Sequence, residues 1–266
     1  MNTFLPCFIA ASVLAAVSFP HQSAAQDAAV VQGEAIAREA DRRDKGFMDS
    51  ITRVEMVLTD KTGNEARRTL TIKTLQSQID GVGDKNMVVF HAPLDLQGTA
   101  LLTHSGVENE DRQWLYLPTL KRVKRVSSSN RAGSFVASEF SYEDMMHLQV
   151  EHYKHRYLDT VRCGDLKCFK LERTPRAEDS GYKRQIAYID SLHYRVHRID
   201  YFNRQNNHIK TLYATNWRVY KNMFWRAANT SMVNHQTGKT THLIWGDFSF
   251  RNGFASTEFS RTAMAN

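Results

Sequence analysis

Apolar and polar residues alternate with a period of two through most of the sequence. Val54, Met56 and Leu58 alternate with polar residues, and the pattern returns in 66–79 after a turn at 61–64. Because successive side chains of a strand point to opposite faces, this alternation predicts strands, and the turn predicts a hairpin. Predicted strands occupy 47–59, 66–79, 86–90, 99–104, 112–117, 153–161, 166–172, 182–190, 194–202, 208–215, 217–224, 227–234 and 240–250.

A different period precedes the first strand. Residues 28–45 are rich in Ala, Glu and Arg, and Val31, Ala35 and Ile36 lie near helical spacing, which predicts an N-terminal α-helix. A long antiparallel sheet has to close on itself or curl around elements that cover its concave face. No linker, low-complexity tract or fixed repeat interrupts 26–266, so we expect one domain of the mainly β (α+β) class.

The strand pattern stops between residues 118 and 146. Almost thirty residues are too many for a plain connection inside a compact domain, and segments of that length usually carry function or form a lid. Residues 139–147 are predicted to form a short helix, with Ser138 as its cap and Glu139 in its first turn. Arg131 and Asp144 are expected to be structural partners that tie this segment to the helix.

The N-terminus has the features of a secretory signal. Residues 4–20 contain no charged side chain and are mostly Leu, Ile, Val, Ala and Phe, and small residues follow at 23–25. The apolar run is shorter than the roughly 20 residues of a membrane-spanning helix. We therefore predict a signal peptide at 1–25, cleaved after Ala25 together with Cys7, and export to the periplasm.

The composition narrows the classes of partner. Hydrophobic residues make up 42% and charged residues 24% of the chain, which excludes a disordered, collagenous or multi-span membrane protein. Lys and Arg number 35 against 28 Asp and Glu, so the formal net charge is +7. Export argues against nucleic acid as the partner of this positive charge and favours anionic lipid head groups or acidic envelope proteins.

Two cysteines remain in the predicted mature chain, Cys163 and Cys168. They are separated by four residues that include Gly164 and Asp165, a pair typical of a turn. In an exported protein this spacing favours a local disulfide across a hairpin over a free dithiol or a metal site. Such a short loop gives about 2 kcal/mol of entropic stabilisation or less.

The segment 114–146 carries a specific motif. Its opening is Trp-Leu-Tyr-Leu-Pro at 114–118, followed by Thr-Leu-Lys-Arg-Val-Lys-Arg-Val at 119–126, and it closes with Gly-Ser-Phe at 133–135 and Phe-Ser-Tyr-Glu-Asp at 140–144. This run closely resembles the signature of the bacterial outer-membrane lipoprotein-sorting protein family, the LolA-like periplasmic carriers. The order of signal, helix and antiparallel strands is similar to that family across nearly the whole mature chain.

The resemblance implies a curled, incompletely closed antiparallel β-barrel in which helices cover an apolar cavity. It implies a lipid or lipoprotein acyl chain as cargo, with exchange at an inner-membrane transporter of the resistance-nodulation-division (RND) type or at an outer-membrane acceptor. No cofactor is expected. The candidate cavity or lid residues are Trp114, Tyr116, Phe135, Phe140 and Tyr142. The candidate contacts to a head group or partner are Lys121, Arg122, Lys124, Arg125 and Arg131.

Other readings compete with the carrier interpretation. The basic residues also fit a solvated strand or loop face, and the aromatic residues also fit an ordinary core. His147, His152 and His155 are spaced like metal ligands, but strand geometry puts His152 and His155 on opposite faces, so no metal is expected. No G-x-S-x-G motif occurs, and we expect no catalytic residues. A transporter adaptor without cargo is the main alternative, and an envelope lipid hydrolase is a weaker one.

Overall fold

The structure is a computed structural model that describes residues 21–79, 81–107 and 110–265. Residues 1–20 of the predicted signal peptide lie outside the described residues. A helix, α1, spans His21–Asp44. The strands are β1 Asp49–Thr59, β2 Glu65–Leu75, β3 Val82–Ala92, β4 Ala100–Gly106, β5 Arg112–Leu117, β6 Arg122–Val126, β7 Tyr153–Cys163, β8 Leu166–Pro175, β9 Tyr182–Asp190, β10 Val196–Asn203, β11 His208–Tyr220, β12 Phe224–Asn234, β13 Thr240–Trp245 and β14 Ser249–Phe250. Short 3₁₀ helices lie at Pro118–Leu120, Ser128–Asn130, Phe135–Ala137, Glu143–Met145, Val150–His152, Ser256–Phe259 and Ala263–Ala265.

The strands form one continuous antiparallel sheet. Their spatial order is β6-β5-β4-β3-β2-β1-β13-β12-β11-β10-β9-β8-β7, and β14 pairs with β1. Pairing of β1 with β13 joins the N-terminal strands to the C-terminal ones. The sheet does not close, so β6 and β7 are its edge strands. The predicted fold class, a mainly β protein with an incompletely closed antiparallel sheet and an N-terminal helix, is therefore confirmed.

The helix α1 lies against the β7 side of the sheet. A Cβ atom at Gly33 would lie 2.7 Å from the backbone nitrogen of Tyr157 and 2.8 Å from the Cα of Arg156. Only glycine permits this approach, because any other residue would force the helix backbone away from β7. Ile36 and Ala37, one turn further on, are buried in the main core. The C-terminal half of α1 is thereby held over the concave face.

Side chains alternate between two hydrophobic layers. On the concave face, Leu101 and Leu115 belong to the main core. On the other face, Leu102 and Trp114 pack with Phe259 of the C-terminal segment. Both faces of this half of the sheet are covered, which explains why its strands carry apolar residues at consecutive positions.

Several sequence-based elements and boundaries differ from the structure. The predicted helix at 139–147 is wrong, since these residues form a single 3₁₀ turn, Glu143–Met145, whose preceding residue is Tyr142 rather than Ser138. Strand β6 lies inside the segment that was expected to be without strands. Residues 208–220 form one strand instead of two, because Asn216 adopts a φ of 55° within the strand and the chain turns later, at 221–223.

The two predicted mature cysteines form a disulfide. Cys163 ends β7, and Cys168 lies in β8, with Gly164 at a φ of 62° in the turn between them. The predicted local clasp of a hairpin is confirmed. Among the residues that the structure describes, no helix has the length and apolar composition needed to cross a membrane.

Candidate functional site

A cavity of about 1040 Å³ lies between the concave face of the sheet and the C-terminal half of α1. Strands from both halves of the sheet contribute to it, from Asn86 on β3 to His155 on β7. Its apolar lining includes Phe140, Met145, Leu148, Val150, Ile189, Val196, Leu212, Trp217, Trp225, Leu243, Trp245 and Phe248. The size suits a small-molecule or lipid ligand, since such sites are typically about 300–1,000 Å³ and mostly apolar.

Aromatic and cationic side chains share one part of the cavity wall. The guanidinium of Arg195 lies 4.5 Å from the ring centre of Trp225 and 5.6 Å from that of Trp217. Arg226 contacts Asp44 at the end of α1 and lies 5.8 Å from the ring of Phe248. Such cation–π contacts hold guanidinium groups at an apolar surface without removing their charge.

The turn between β9 and β10 carries several of these lining residues. Asp190, whose side chain is fully buried, accepts hydrogen bonds from the backbone nitrogen of His193 at 2.6 Å and from Nε of Arg195 at 2.8 Å. The Nε2 atom of His197 lies 2.9 Å from the same carboxylate. Arg43 of α1 donates to the carbonyl of Leu192 in this turn at 2.7 Å. Asp190 therefore fixes both a cavity wall and the surface on which α1 ends.

Ionised Asp190 is expected to make the free energy of unfolding depend on pH in the acid range. Burial opposes ionisation, but hydrogen bonds from His193, Arg195 and His197 outweigh it and lower the pKa of Asp190 to about 2. Because this folded pKa lies below the unfolded value of about 3.9, the ionised group stabilises the fold above about pH 4 and loses its contribution, roughly 2 kcal/mol, as the pH falls through 2. Urea unfolding at pH 6, 4, 3 and 2 should show a flatter pH dependence for Asp190→Asn than for the wild type. Parallel curves would contradict this role.

The segment 118–146 is fixed to the concave face by a buried ion pair. Nζ of Lys210 on β11 lies 2.5 Å from Oδ2 of Asp144, and these side chains are only 7% and 3% exposed. The hydroxyl of Tyr182 donates to the other Asp144 oxygen at 2.8 Å. The backbone nitrogen of Ser141 donates to Oδ2 at 2.7 Å. Asp144 thus joins the segment to β9 and β11.

Further polar contacts fix the same segment. Glu143 accepts from the backbone nitrogen of Gly181 at 2.9 Å, and burial raises the pKa of this carboxyl. Glu139 accepts from Nδ2 of Asn234 at 2.6 Å. Arg131 pairs with Glu110 at 2.7 Å. Arg131 and Asp144 therefore both have structural contacts, but each binds elsewhere rather than to the other.

The predicted aromatic residues occupy different places. Phe140 lines the cavity. Phe135 is fully buried in the main core, with its ring centre 5.7 Å from those of Phe90 and Tyr142. Trp114 and Tyr116 lie on the opposite face of the sheet and do not line the cavity. The structure therefore brings Phe135, Phe140 and Tyr142 together and separates Trp114 and Tyr116 from them.

The predicted basic residues also fall into groups. Lys121 ends the Pro118–Leu120 turn, and Arg122, Lys124 and Arg125 are exposed on the edge strand β6. Arg131 is only 11% exposed. Arg125 is opposite Trp114 on β5 and shares its face. There, a surface pocket of about 550 Å³ is lined by Lys85, His104, Arg112, Trp114, Arg125, Ser256, Phe259, Ser260 and Arg261.

Three tryptophans of the cavity were not among the sequence candidates. Trp217, Trp225 and Trp245 line it, and they are three of the four tryptophans in the chain. The pattern predicted strands at Trp217 and Trp245 but not at Trp225, and a strand pattern does not say which face surrounds a cavity. Among the described residues, no group of three His, Cys, Asp or Glu side chains is arranged to hold a metal ion. His155 is buried, and its Nε2 lies 3.0 Å from the carbonyl of Val150.

Comparison with known proteins identifies the family. A domain assigned to the outer-membrane lipoprotein-sorting proteins, from Vibrio parahaemolyticus, is 38% identical, with a TM-score of 0.86 over 89% of this chain and 100% of that chain. The chain belongs to the outer-membrane lipoprotein-sorting protein family. A family model described as that of an uncharacterized protein also matches residues 83–266. No curated protein sequence matches the chain significantly.

Two further solved structures extend the lipoprotein-sorting family comparison. A DUF1329 family protein from Desulfovibrio piger is 25% identical, with a TM-score of 0.84 over 89% of this chain and 99% of that chain. A LolA superfamily protein from Nitrosomonas europaea is 15% identical, with a TM-score of 0.70 over 87% of this chain and 98% of that chain. At that identity the likeness shows a shared fold. The resemblance to the lipoprotein-sorting family found in the sequence is confirmed.

Proposed function

We propose that this protein is a carrier that binds the acyl chain of a lipid or lipoprotein in the cavity under α1. The observation that carries the proposal is the size and apolar lining of that cavity. Exposing an acyl chain to water is unfavourable by a free energy of about 25 cal/mol for each Å² of apolar surface. A carrier therefore needs an apolar site that excludes water. The fold and the name of the related Vibrio domain support the same function.

The helix α1 is the cover that we expect to move. Besides the buried Ile36 and Ala37, its contacts to the rest of the chain include an exposed ion pair, Arg38 to Glu151 at 3.0 Å, and the hydrogen bond from Arg43 to Leu192. Exposed ion pairs contribute about 1 kcal/mol or less. The segment 118–146 is held by the buried pair of Lys210 and Asp144 instead. Docking on a partner that shifts α1 would open the cavity while this segment stays in place.

The partner contact is proposed at the basic edge of the sheet. Arg125 lies in a surface pocket with Lys85, Arg112 and Arg261, and no Asp or Glu lines this pocket among the described residues. Together with exposed Lys121, Arg122 and Lys124, this surface suits anionic head groups or an acidic face of a membrane protein. An RND-type transporter or an outer-membrane acceptor would provide such a surface.

The proposal includes the location and organisation of the chain. A carrier of this kind would act in the periplasm after removal of residues 1–25, as a single domain of 26–266. It would act without catalysis, since binding and release of cargo require no covalent step. Both the removal of the signal and the domain boundaries are open to direct measurement by intact mass and limited proteolysis.

Native mass spectrometry of the mature protein, purified from a bacterial periplasm without detergent, tests the function. We expect a stoichiometric lipid to remain bound, because the lining gives the chain a dry environment. Lipid extraction would then identify the cargo. A mass without lipid that persists after incubation with total envelope lipids would contradict the carrier function and favour the adaptor.

A further inference from the structure

Arg173 on β8 is a buried cation that has no carboxylate partner in the part of the chain that the structure describes. Its side chain lines the cavity, and the residue is only 2% exposed. Its Nε and Nη2 atoms are buried and have no hydrogen-bond partner among the described residues. Burial lowers the pKa of this guanidinium, and the ionisable groups that act on it are the phenols of Tyr153 and Tyr201. An arginine nevertheless keeps its charge at neutral pH.

Strand register places Arg173 in a buried polar row. His155, Arg173 and Gln185 are directly opposite one another on β7, β8 and β9. Tyr201 and Lys210 continue the row on β10 and β11. His155 also lines the cavity, and its Nδ1 atom is buried without a partner among the described residues. The two unpartnered groups are therefore neighbours in the wall of one cavity.

The same row contains a cation that does have a partner. Lys210 is buried, and Asp144 neutralises it at 2.5 Å. A buried charge without such a partner has a penalty of several kcal/mol, and buried polar groups are nearly always hydrogen-bonded. No acid of residues 21–79, 81–107 or 110–265 pairs with Arg173, and this points to a negative group from outside the chain. Because Arg173 lines the cavity, a group bound there lies next to this residue.

We propose that Arg173 binds the anionic group, a carboxylate or a phosphate, of an acyl-chain amphiphile held in the cavity. This proposal rests on the carrier function and specifies its cargo as acidic at one end. The planar guanidinium forms paired hydrogen bonds with either group. The apolar wall formed by residues such as Leu212 and Trp245 surrounds the chain. The acidic end lies against the sheet.

Fluorescence of the cavity tryptophans can test this proposal on the mature protein. The probes are oleate, oleyl phosphate, oleyl alcohol and inorganic phosphate, which separate the chain from its charge. We expect the wild type to bind the two anionic amphiphiles at least tenfold more tightly than the alcohol. Arg173→Met should reduce this preference to less than threefold and leave the affinity for the alcohol unchanged. Arg173→Lys should retain part of the preference, because it keeps a cation.

Arg156→Met is the matched control, since Arg156 lies on the neighbouring strand, is exposed and pairs with Glu172. It should keep the full preference. The urea midpoint of unliganded Arg173→Met should equal or exceed that of the wild type, because an unpaired buried charge is removed. A lower midpoint, with equal losses for all amphiphiles, would show a structural role and overturn the proposal.

The remaining outcomes separate this proposal from the carrier function. Tight binding of oleyl alcohol without any preference for oleate would overturn the anion site and leave the carrier function standing. No binding of any amphiphile would overturn both. Binding of inorganic phosphate as tight as that of oleyl phosphate, and dependent on Arg173, would assign the site to free anions and overturn the amphiphile proposal.

Discussion

Substitution Leu212→Arg is expected to abolish retention of lipid. Leu212 lies on β11, is partly buried and lines the cavity, so the change can be accommodated toward the cavity space. Arginine stays protonated, so its guanidinium either retains bound water in the cavity or is dehydrated at a penalty of several kcal/mol. Either outcome opposes binding of an acyl chain. We expect at least a roughly 100-fold weaker affinity for oleyl alcohol, on the basis that 1.4 kcal/mol corresponds to tenfold. Tryptophan fluorescence and native mass spectrometry would measure this.

Val219→Arg provides the control on the same strand. Val219 is 44% exposed and lies outside the cavity lining. This variant should bind lipid as the wild type does, and both variants should have similar urea midpoints. Equal lipid binding by Leu212→Arg and the wild type would place the cargo elsewhere and remove the main support for the carrier function.

The largest loss of stability is expected from Asp144→Ala. The change leaves Lys210 buried without its partner and removes the acceptor of the Tyr182 hydroxyl. Breaking one side of a buried ion pair typically destabilises a protein by about 3–5 kcal/mol. We expect a loss of this size in urea unfolding at pH 7, together with faster proteolysis of the segment 118–146.

Two comparisons make this measurement specific. Asp247→Ala removes an ion pair with Arg218 whose side chains are 86% and 56% exposed, and it should change stability by about 1 kcal/mol or less. Asp144→Leu combined with Lys210→Met removes both charges and should recover more than half of the loss. A loss from Asp144→Ala no larger than that from Asp247→Ala would show that the pair does not hold the segment.

The sequence predicted the sheet well because strand formation depends on a local alternation. The predicted element boundaries were wrong where contacts with neighbouring strands override the local sequence preference. The predicted strands 208–215 and 217–224 left a break at Asn216, yet the positive φ of this residue is accommodated inside β11 because β12 pairs on both sides of it. Ser138 and Glu139 suggested a helix start, but Glu139 and Asp144 are bound to separate strands, which prevents a regular helix over 139–147.

The candidate site was less predictable, because the residues that line the cavity are decided by strand register and by which face of the sheet is covered. A charged residue such as Arg173 is assigned to solvent by any hydrophobic pattern, and the predicted strand ended just before it, at residue 172. Only the register with β7 and β9 places it in a buried row. Trp114 and Tyr116 share the family motif with Phe140, but strand alternation and the C-terminal segment put them on the other face. Motif membership therefore did not indicate which residues line the cavity.

The open sheet leaves two strand edges that another chain would otherwise extend by hydrogen bonding. On β6, three of the five residues are cations, and antiparallel pairing of two copies centred on Lys124 would set like charges face to face. On β7, the backbone of α1 at Gly33 lies against Tyr157 and blocks an added strand. Charge protects one edge and a helix the other, so the fold stays open for cargo while resisting self-association through its strands.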